Sequence, residues 1–152
     1  MFASKFAMQA LPNIHLLGLF ITALTVKYRR RALYPIYVYI FLDGLAGGFA
    51  LWWVPYIYIW TILWAVVMLL PKNMPKKIAV PVYCVVTGLH GLSFGTLYAP
   101  AQALMHGLSF KAMLAWIAAG FTFDVIHGVS DLLLATLVLP LVNLLDRSEK
   151  IR

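Results

Sequence analysis

Asp124, His127 and Asp131 lie inside one long apolar stretch, GFTFDVIHGVSDLLLATLVLPL, separated by three and then four residues. That spacing stacks the three side chains on a single helical face. A charged group at the centre of a bilayer costs roughly 2.5–3.5 kcal/mol on insertion scales, so such a stripe is expected to face protein, water or ligand rather than lipid. A second stripe, His90, Phe94, Tyr98 and Gln102, combines aromatic walls with polar tips. A ligand-lining face and a satisfied polar packing seam both read this way. Two further chemistries are written in the same residues. Carboxylate and imidazole from His90, Asp124, His127 and Asp131 together suit zinc, nickel or cobalt. Gly91-Leu92-Ser93-Phe94-Gly95 matches G-x-S-x-G, which with His127 and Asp124 could be drawn as an intramembrane serine hydrolase. That motif acts on a sharp strand-to-helix turn, whereas Thr87, Gly91, Gly95, Ala99 and Ala103 recur every fourth residue and already explain both glycines as a small-residue ridge.

The elements that must position these groups follow from composition. The chain is 63% hydrophobic and only 11% charged, with a mean hydropathy of +0.88, well outside the soluble range. Its 152 residues divide into apolar runs at 2–11, 14–26, 33–54, 55–70, 78–105 and 112–145, several near the ~20 residues that a spanning helix needs. The runs are continuously apolar without alternation, so helices and not a β-barrel satisfy their backbones. We therefore expect an all-α integral membrane protein, a single domain of six transmembrane helices over 1–152. The run at 2–11 is too short to cross a bilayer at about 1.5 Å per residue, so the first helix reads as truncated at its N-terminus, with Met1 an internal start. Lys5 is soon followed by Pro12 and Asn13, and no small-residue cleavage site follows a clean apolar core, so a secretory signal peptide is not expected.

Basic residues follow the second run (Lys27, Arg29, Arg30, Arg31), the fourth (Lys72, Lys76, Lys77) and the sixth (Arg147, Lys150, Arg152). Every second loop is thereby assigned to the cytoplasm, and both termini with them; Lys111 is the one dissenter. The net charge of +7 reflects this topology and contact with anionic lipid, and binding of nucleic acid is not expected. The lone Cys84 allows no internal disulfide and reads as a small buried hydrophobe. Counting turns from the helix ends places Asn13, His15, Trp52, Trp53, Tyr56, Tyr98, Gln102, Asp124 and His127 in the outer half, with Asp43, His90 and Asp131 nearer the midplane. Trp60 and Trp64 read as interfacial anchors, and Pro100 is expected to kink the fifth helix near its outer end. Gly44 and Gly48 allow close packing that leaves Asp43 pairing with a neighbour or touching ligand.

Four segments together, ALPNIHLLGLF at 10–20, LWWVPYIYIWTILW at 51–64, GLHGLSFGTLYAPAQAL at 88–104 and FDVIHGVSDLLLATLVLPL at 123–141, give nearly the whole chain a resemblance to the substrate-binding S components of energy-coupling factor transporters. The resemblance implies six helices with cytoplasmic termini and uptake of a small water-soluble vitamin-like compound from outside. It implies partners as well: a coupling transmembrane subunit and two ATPase subunits, with Ala3 and Ala7 resembling the small-x-x-x-small motif that docks the first helix on the coupling subunit. The chain itself holds no GxxxxGK[ST] phosphate loop, so it is not expected to be an enzyme, and no cofactor is expected. The residues expected to line a solute pocket between the first loop and the fifth and sixth helices are Asn13, His15, Asp43, Trp53, His90, Tyr98, Gln102, Asp124, His127 and Asp131. Tryptophan and tyrosine suit a flat heterocycle, and the buried carboxylates with no outer-half arginine lean against a polyanionic one.

Overall fold

A computed structural model describes residues 1–8 and 14–150. The described residues are helical over 86% of the chain with no strand, in eight α-helices: α1 (Phe2–Ala7), α2 (Leu17–Tyr28), α3 (Leu33–Gly47), α4 (Tyr56–Leu69), α5 (Lys76–Leu92), α6 (Phe94–His106), α7 (Phe110–Leu134) and α8 (Val138–Lys150). Single 3₁₀ turns at Arg29–Ala32, Leu51–Trp53 and Ala135–Leu137 join some of them. Among the described residues, three helical stretches are long and apolar enough to cross a membrane: Leu51–Leu69, Lys76–His106 and Phe110–Lys150. The expected run at 33–54 is divided, because Gly48 adopts φ 83°, a left-handed backbone angle that ends α3 and that only glycine reaches without strain.

Local chemistry explains the other boundaries. Pro55 presets the first turn of α4, and its carbonyl accepts from the Tyr58 and Ile59 amides. The Ser109 hydroxyl accepts from the Ala112 amide at 3.2 Å to cap α7, and Gly107 at φ 64° closes α6. Arg29, at φ 53°, turns the chain from α2 into α3. Its guanidinium donates to the Met68 and Leu70 carbonyls, orphans at the end of α4. The long α5–α6 stretch is interrupted at Ser93 (φ −89°, ψ 1°) and not at Pro100, which sits within α6 on an exposed face.

The exterior is apolar, unlike that of a soluble protein, and polar groups are buried among apolar ones. Leu45, Leu69, Leu104, Phe110, Leu133 and Leu144 are exposed, while Thr22, Thr25, Thr87, Asp43, His90, His127, Ser130 and Asp131 are buried. An apolar exterior around an interior that mixes apolar clusters with buried polar groups is stable in lipid, where helix association relies on close packing and interhelical hydrogen bonds. One apolar cluster gathers Ile21, Ile36, Ile40, Trp60, Leu63 and Val67 from α2, α3 and α4. A second joins Ala23, Tyr83, Cys84, Ala135 and Val138 from α2, α5 and the α7–α8 region, so Cys84 is the buried hydrophobe expected. Between them the Thr22 and Thr87 hydroxyls meet at 3.0 Å.

Of the small-residue ridge, Gly91 and Gly95 make their close contact with α7, and Gly88 beside the ridge joins them. A Cβ at Gly91 would lie 3.0 Å from Gly128 Cα, and one at Gly88 would lie 2.8 Å from Leu132 Cβ. Lys27 of α2 pairs with Asp146 of α8 at 2.6 Å and with Glu149 of α8 at 2.8 Å, and Arg29 reaches the end of α4. These basic residues share one end, whereas Lys5 lies over Trp52 and Lys111 opens α7.

Candidate functional site

At the end of the bundle opposite most of the basic residues, the 50–56 corner, α6 and the first half of α7 line an open cavity of about 770 Å³. A volume of this size suits a small organic molecule. Tyr98, Gln102 and Asp124, three of the expected site residues, line it. Trp52, Tyr56 and Phe94 supply aromatic wall. Opposite them stands Trp116, stacked on Tyr98 with ring centroids 5.9 Å apart and planes 15° from parallel. Trp116 escaped the reading of the sequence, although Trp116, Gly120 and Asp124 share one face of α7 at four-residue spacing and all line the cavity.

Two hydrogen bonds fix the cavity's polar groups. The Tyr98 hydroxyl donates to the Trp52 carbonyl at 2.8 Å, tying α6 to the corner. The break at Ser93 frees the Gly95 amide from the Gly91 carbonyl it would reach in an unbroken helix, and that amide donates to Asp124 Oδ1 at 2.9 Å. Asp124 therefore caps the start of α6 from a different helix. Glycine at 95 is what admits it, since a Cβ there would fall within 3.0 Å of the carboxylate carbon.

The remaining expected residues are placed elsewhere. Asn13 lies outside the described residues. Asp43 pairs with Lys5, so of its two expected roles the structure gives pairing with a neighbour. Lys5 also lies 5.7 Å over the Trp52 ring. Trp53 Nε1 donates to the Ile40 carbonyl at 2.7 Å, and His90 Nε2 bonds the Ile59 carbonyl at 3.0 Å. Neither Trp53 nor His90 lines the cavity. Trp60 is buried rather than interfacial and lies edge-on to His15 with centroids 5.9 Å apart. Trp64 Nε1 donates to the Arg29 carbonyl at 3.2 Å. Ala3 and Ala7 are both exposed on α1.

The opening stripe is one face, with Asp124, His127 and Asp131 at 7%, 3% and 0% exposure, but it serves two places. Asp124 reaches the cavity, while His127 and Asp131 lie deeper and meet His15, their ligand-type atoms all within 4.8 Å of one another. The set His90, Asp124, His127 and Asp131 does not converge among the described residues, because His90 and Asp124 are drawn off to the Ile59 carbonyl and the Gly95 amide. The G-x-S-x-G segment sits at the α5–α6 break with no strand beside it among the described residues, and the Ser93 hydroxyl donates to the His90 carbonyl at 3.0 Å.

The cavity thus offers flat aromatic surfaces for a ring, an amide side chain on Gln102, and a carboxylate whose acceptor capacity favours a solute bearing N–H or O–H donors. No protein-family model matches the chain, and neither does any curated protein or solved structure.

Proposed function

We propose that this chain is the substrate-capturing membrane subunit of an importer of the energy-coupling factor type, binding a small water-soluble, vitamin-like heterocycle. The observation that carries the reading is the cavity itself, walled by Trp52, Tyr56, Tyr98 and Trp116, edged by Gln102 and Asp124, and set at the end away from most of the basic residues. In this reading the positive charge marks the cytoplasmic side, so both termini are cytoplasmic and the cavity opens outward across the cell membrane. The six passes are assigned in this reading to α1, α2, α3, α4, α5–α6 and α7–α8, of which the last three lie in stretches long and apolar enough to cross a membrane, whereas α1, at six residues, does not cross one by itself. Energy comes from partners: Ala3 and Ala7, exposed four residues apart, dock α1 on a coupling transmembrane subunit carrying two ATPase subunits. The chain's own contribution is recognition, by stacking on the solute's ring and accepting its donors.

The test begins with mass spectrometry of small molecules released from detergent-purified protein. Affinity for the released compound is then measured with Asp124→Asn and Trp116→Ala. Each substitution is expected to weaken binding by about tenfold or more, roughly 1.4 kcal/mol. Unchanged affinity in both variants overturns the assignment.

A further inference from the structure

Below the cavity, three side chains that the solute reading leaves unused converge on one point. His127 and Asp131 descend α7 from Asp124 by one and two turns, and His15 arrives from the segment preceding α2. The Phe94 ring, which lines the cavity, lies 5.0 Å from the His127 ring and separates the two places. His127 and Asp131 are at least nine-tenths buried. Yet His15 Nδ1, His127 Nε2 and both carboxylate oxygens of Asp131 have no hydrogen-bond partner. His127 Nε2 and Asp131 Oδ2 are 3.4 Å apart but lack hydrogen-bond alignment.

Buried polar atoms without partners are costly, and several of them aimed at a common point call for a partner supplied from outside the protein. The surroundings exclude side-chain donors from one side of the carboxylate, because Asp131 is seated on glycine. A Cβ at Gly18 would stand 2.7 Å from Asp131 Oδ2, and one at Gly91 would stand 3.0 Å from it. Lys5 is committed to Asp43.

We propose that His15, His127 and Asp131 form a buried site for one divalent transition metal of the zinc class, distinct from the solute cavity and independent of which solute that cavity takes. Two imidazoles and one carboxylate are a donor set that such ions favour, with a fourth position left for water. Calcium and magnesium want six or more oxygens, and this site supplies one carboxylate. The separations also fit. Metal bonds of about 2.0–2.1 Å in a tetrahedron place neighbouring ligand atoms about 3.3 Å apart, close to the 3.4 Å between His127 and Asp131. The widest gap, at most 4.8 Å, closes through the torsions of His15, which lies outside any helix. Coordination would fasten the segment before α2 onto α7 and set the depth of His127 beneath Phe94.

The experiment uses the full chain in detergent, stripped with a chelator and titrated with zinc chloride alone, then with cobalt(II) for its visible absorption. One zinc per chain, a tetrahedral cobalt spectrum and a rise in melting temperature with zinc are expected. His127→Ala and Asp131→Asn each weaken zinc binding about a hundredfold or more, and His15→Gln about tenfold or more. Cys84→Ser retains full binding, which excludes the chain's single thiol as the ligand. Because His15 is outside the helices, His15→Gln keeps the fold and decides the matter should Asp131→Asn fail to fold. Absence of stoichiometric zinc, or zinc affinity unchanged in His15→Gln and His127→Ala, overturns the site.

Discussion

Adding one methyl group at Gly128 is expected to force α5 and α7 apart. Its Cβ would lie 2.9 Å from Leu92 Cβ and 3.0 Å from both the Gly88 carbonyl oxygen and the Leu92 amide nitrogen. Two of those neighbours are backbone, so no rotamer change relieves the contact, and the helices must separate by about half an ångström to reach ordinary van der Waals distance. Overpacking of this kind costs about 1–3 kcal/mol. At about 2 kcal/mol of overpacking, less up to about 1 kcal/mol returned by helix propensity, a chain of this length loses roughly 2–8 °C of melting temperature. Gly120→Ala on the same helix is the matched control, because nothing lies within 4 Å of the Cβ it would gain. There only helix propensity changes, a gain of up to about 1 kcal/mol. The single, buried Cys84 provides the assay: a thiol-reactive fluorophore added during heating in detergent reports the temperature at which the bundle opens. A Gly128→Ala melt within about 1 °C of the parent, or an equal fall for Gly120→Ala, would refute the close-packed seam.

Three other outcomes follow from the same coordinates. Lys5→Met strands the Asp43 carboxylate in the interior and is expected to destabilise by about 1–3 kcal/mol; adding Asp43→Asn should recover part of that loss in the same melt. Thr22→Val and Thr87→Val, each orphaning a buried hydroxyl, should cost more singly than half the double substitution. The coupling in a double-mutant cycle is expected at about 0.6–1.7 kcal/mol, and additivity would contradict the hydroxyl pair. Trp53→Phe removes the donor to the Ile40 carbonyl at the α3 end of the corner and is expected to cost about 1 kcal/mol, read as a lower melting temperature with an unchanged helical circular-dichroism spectrum.

Period and hydropathy made much of this molecule legible. The three-then-four spacing of Asp124, His127 and Asp131 delivered one buried face, because it is a property of a single helix. The recurrence from Thr87 to Ala99 crosses the interruption at Ser93, and within it Gly91 and Gly95 meet α7 while Thr87 meets Thr22 of α2. Contacts that depend on distant segments were not legible in that way. His15 joins His127 across more than a hundred residues, and Lys5 reaches Asp43 across the 3₁₀ turn and two helices; nothing in local spacing announces either. A kink was expected at Pro100 because proline lacks an amide, and Pro100 lies within α6 on an exposed face. The interruption at Ser93 was not read from the sequence; there the Asp124 carboxylate offers the Gly95 amide a better acceptor than its own helix. Trp60 illustrates a further limit: tryptophan in a membrane sequence suits the interface and the polar interior equally, and only the neighbours His15, His90 and Phe94 decide between them.

The interruption at Ser93 gives one helical stretch, long and apolar enough to cross a membrane, two mechanical characters. Below it, α5 is clamped to α7 through glycines that leave no slack. Above it, α6 is held by a carboxylate at its start, by the Tyr98 hydroxyl on the corner and by the Tyr58 hydroxyl on the Leu97 carbonyl. Bonds of that sort can be exchanged for bonds to a guest molecule, whereas interlocked backbones cannot. The more compliant portion of the α5–α6 stretch is thus the one that carries Phe94 and Tyr98 of the aromatic wall, so under the proposed capture of a solute, guests of different shape could be accommodated there without disturbing the interlocked α5–α7 seam.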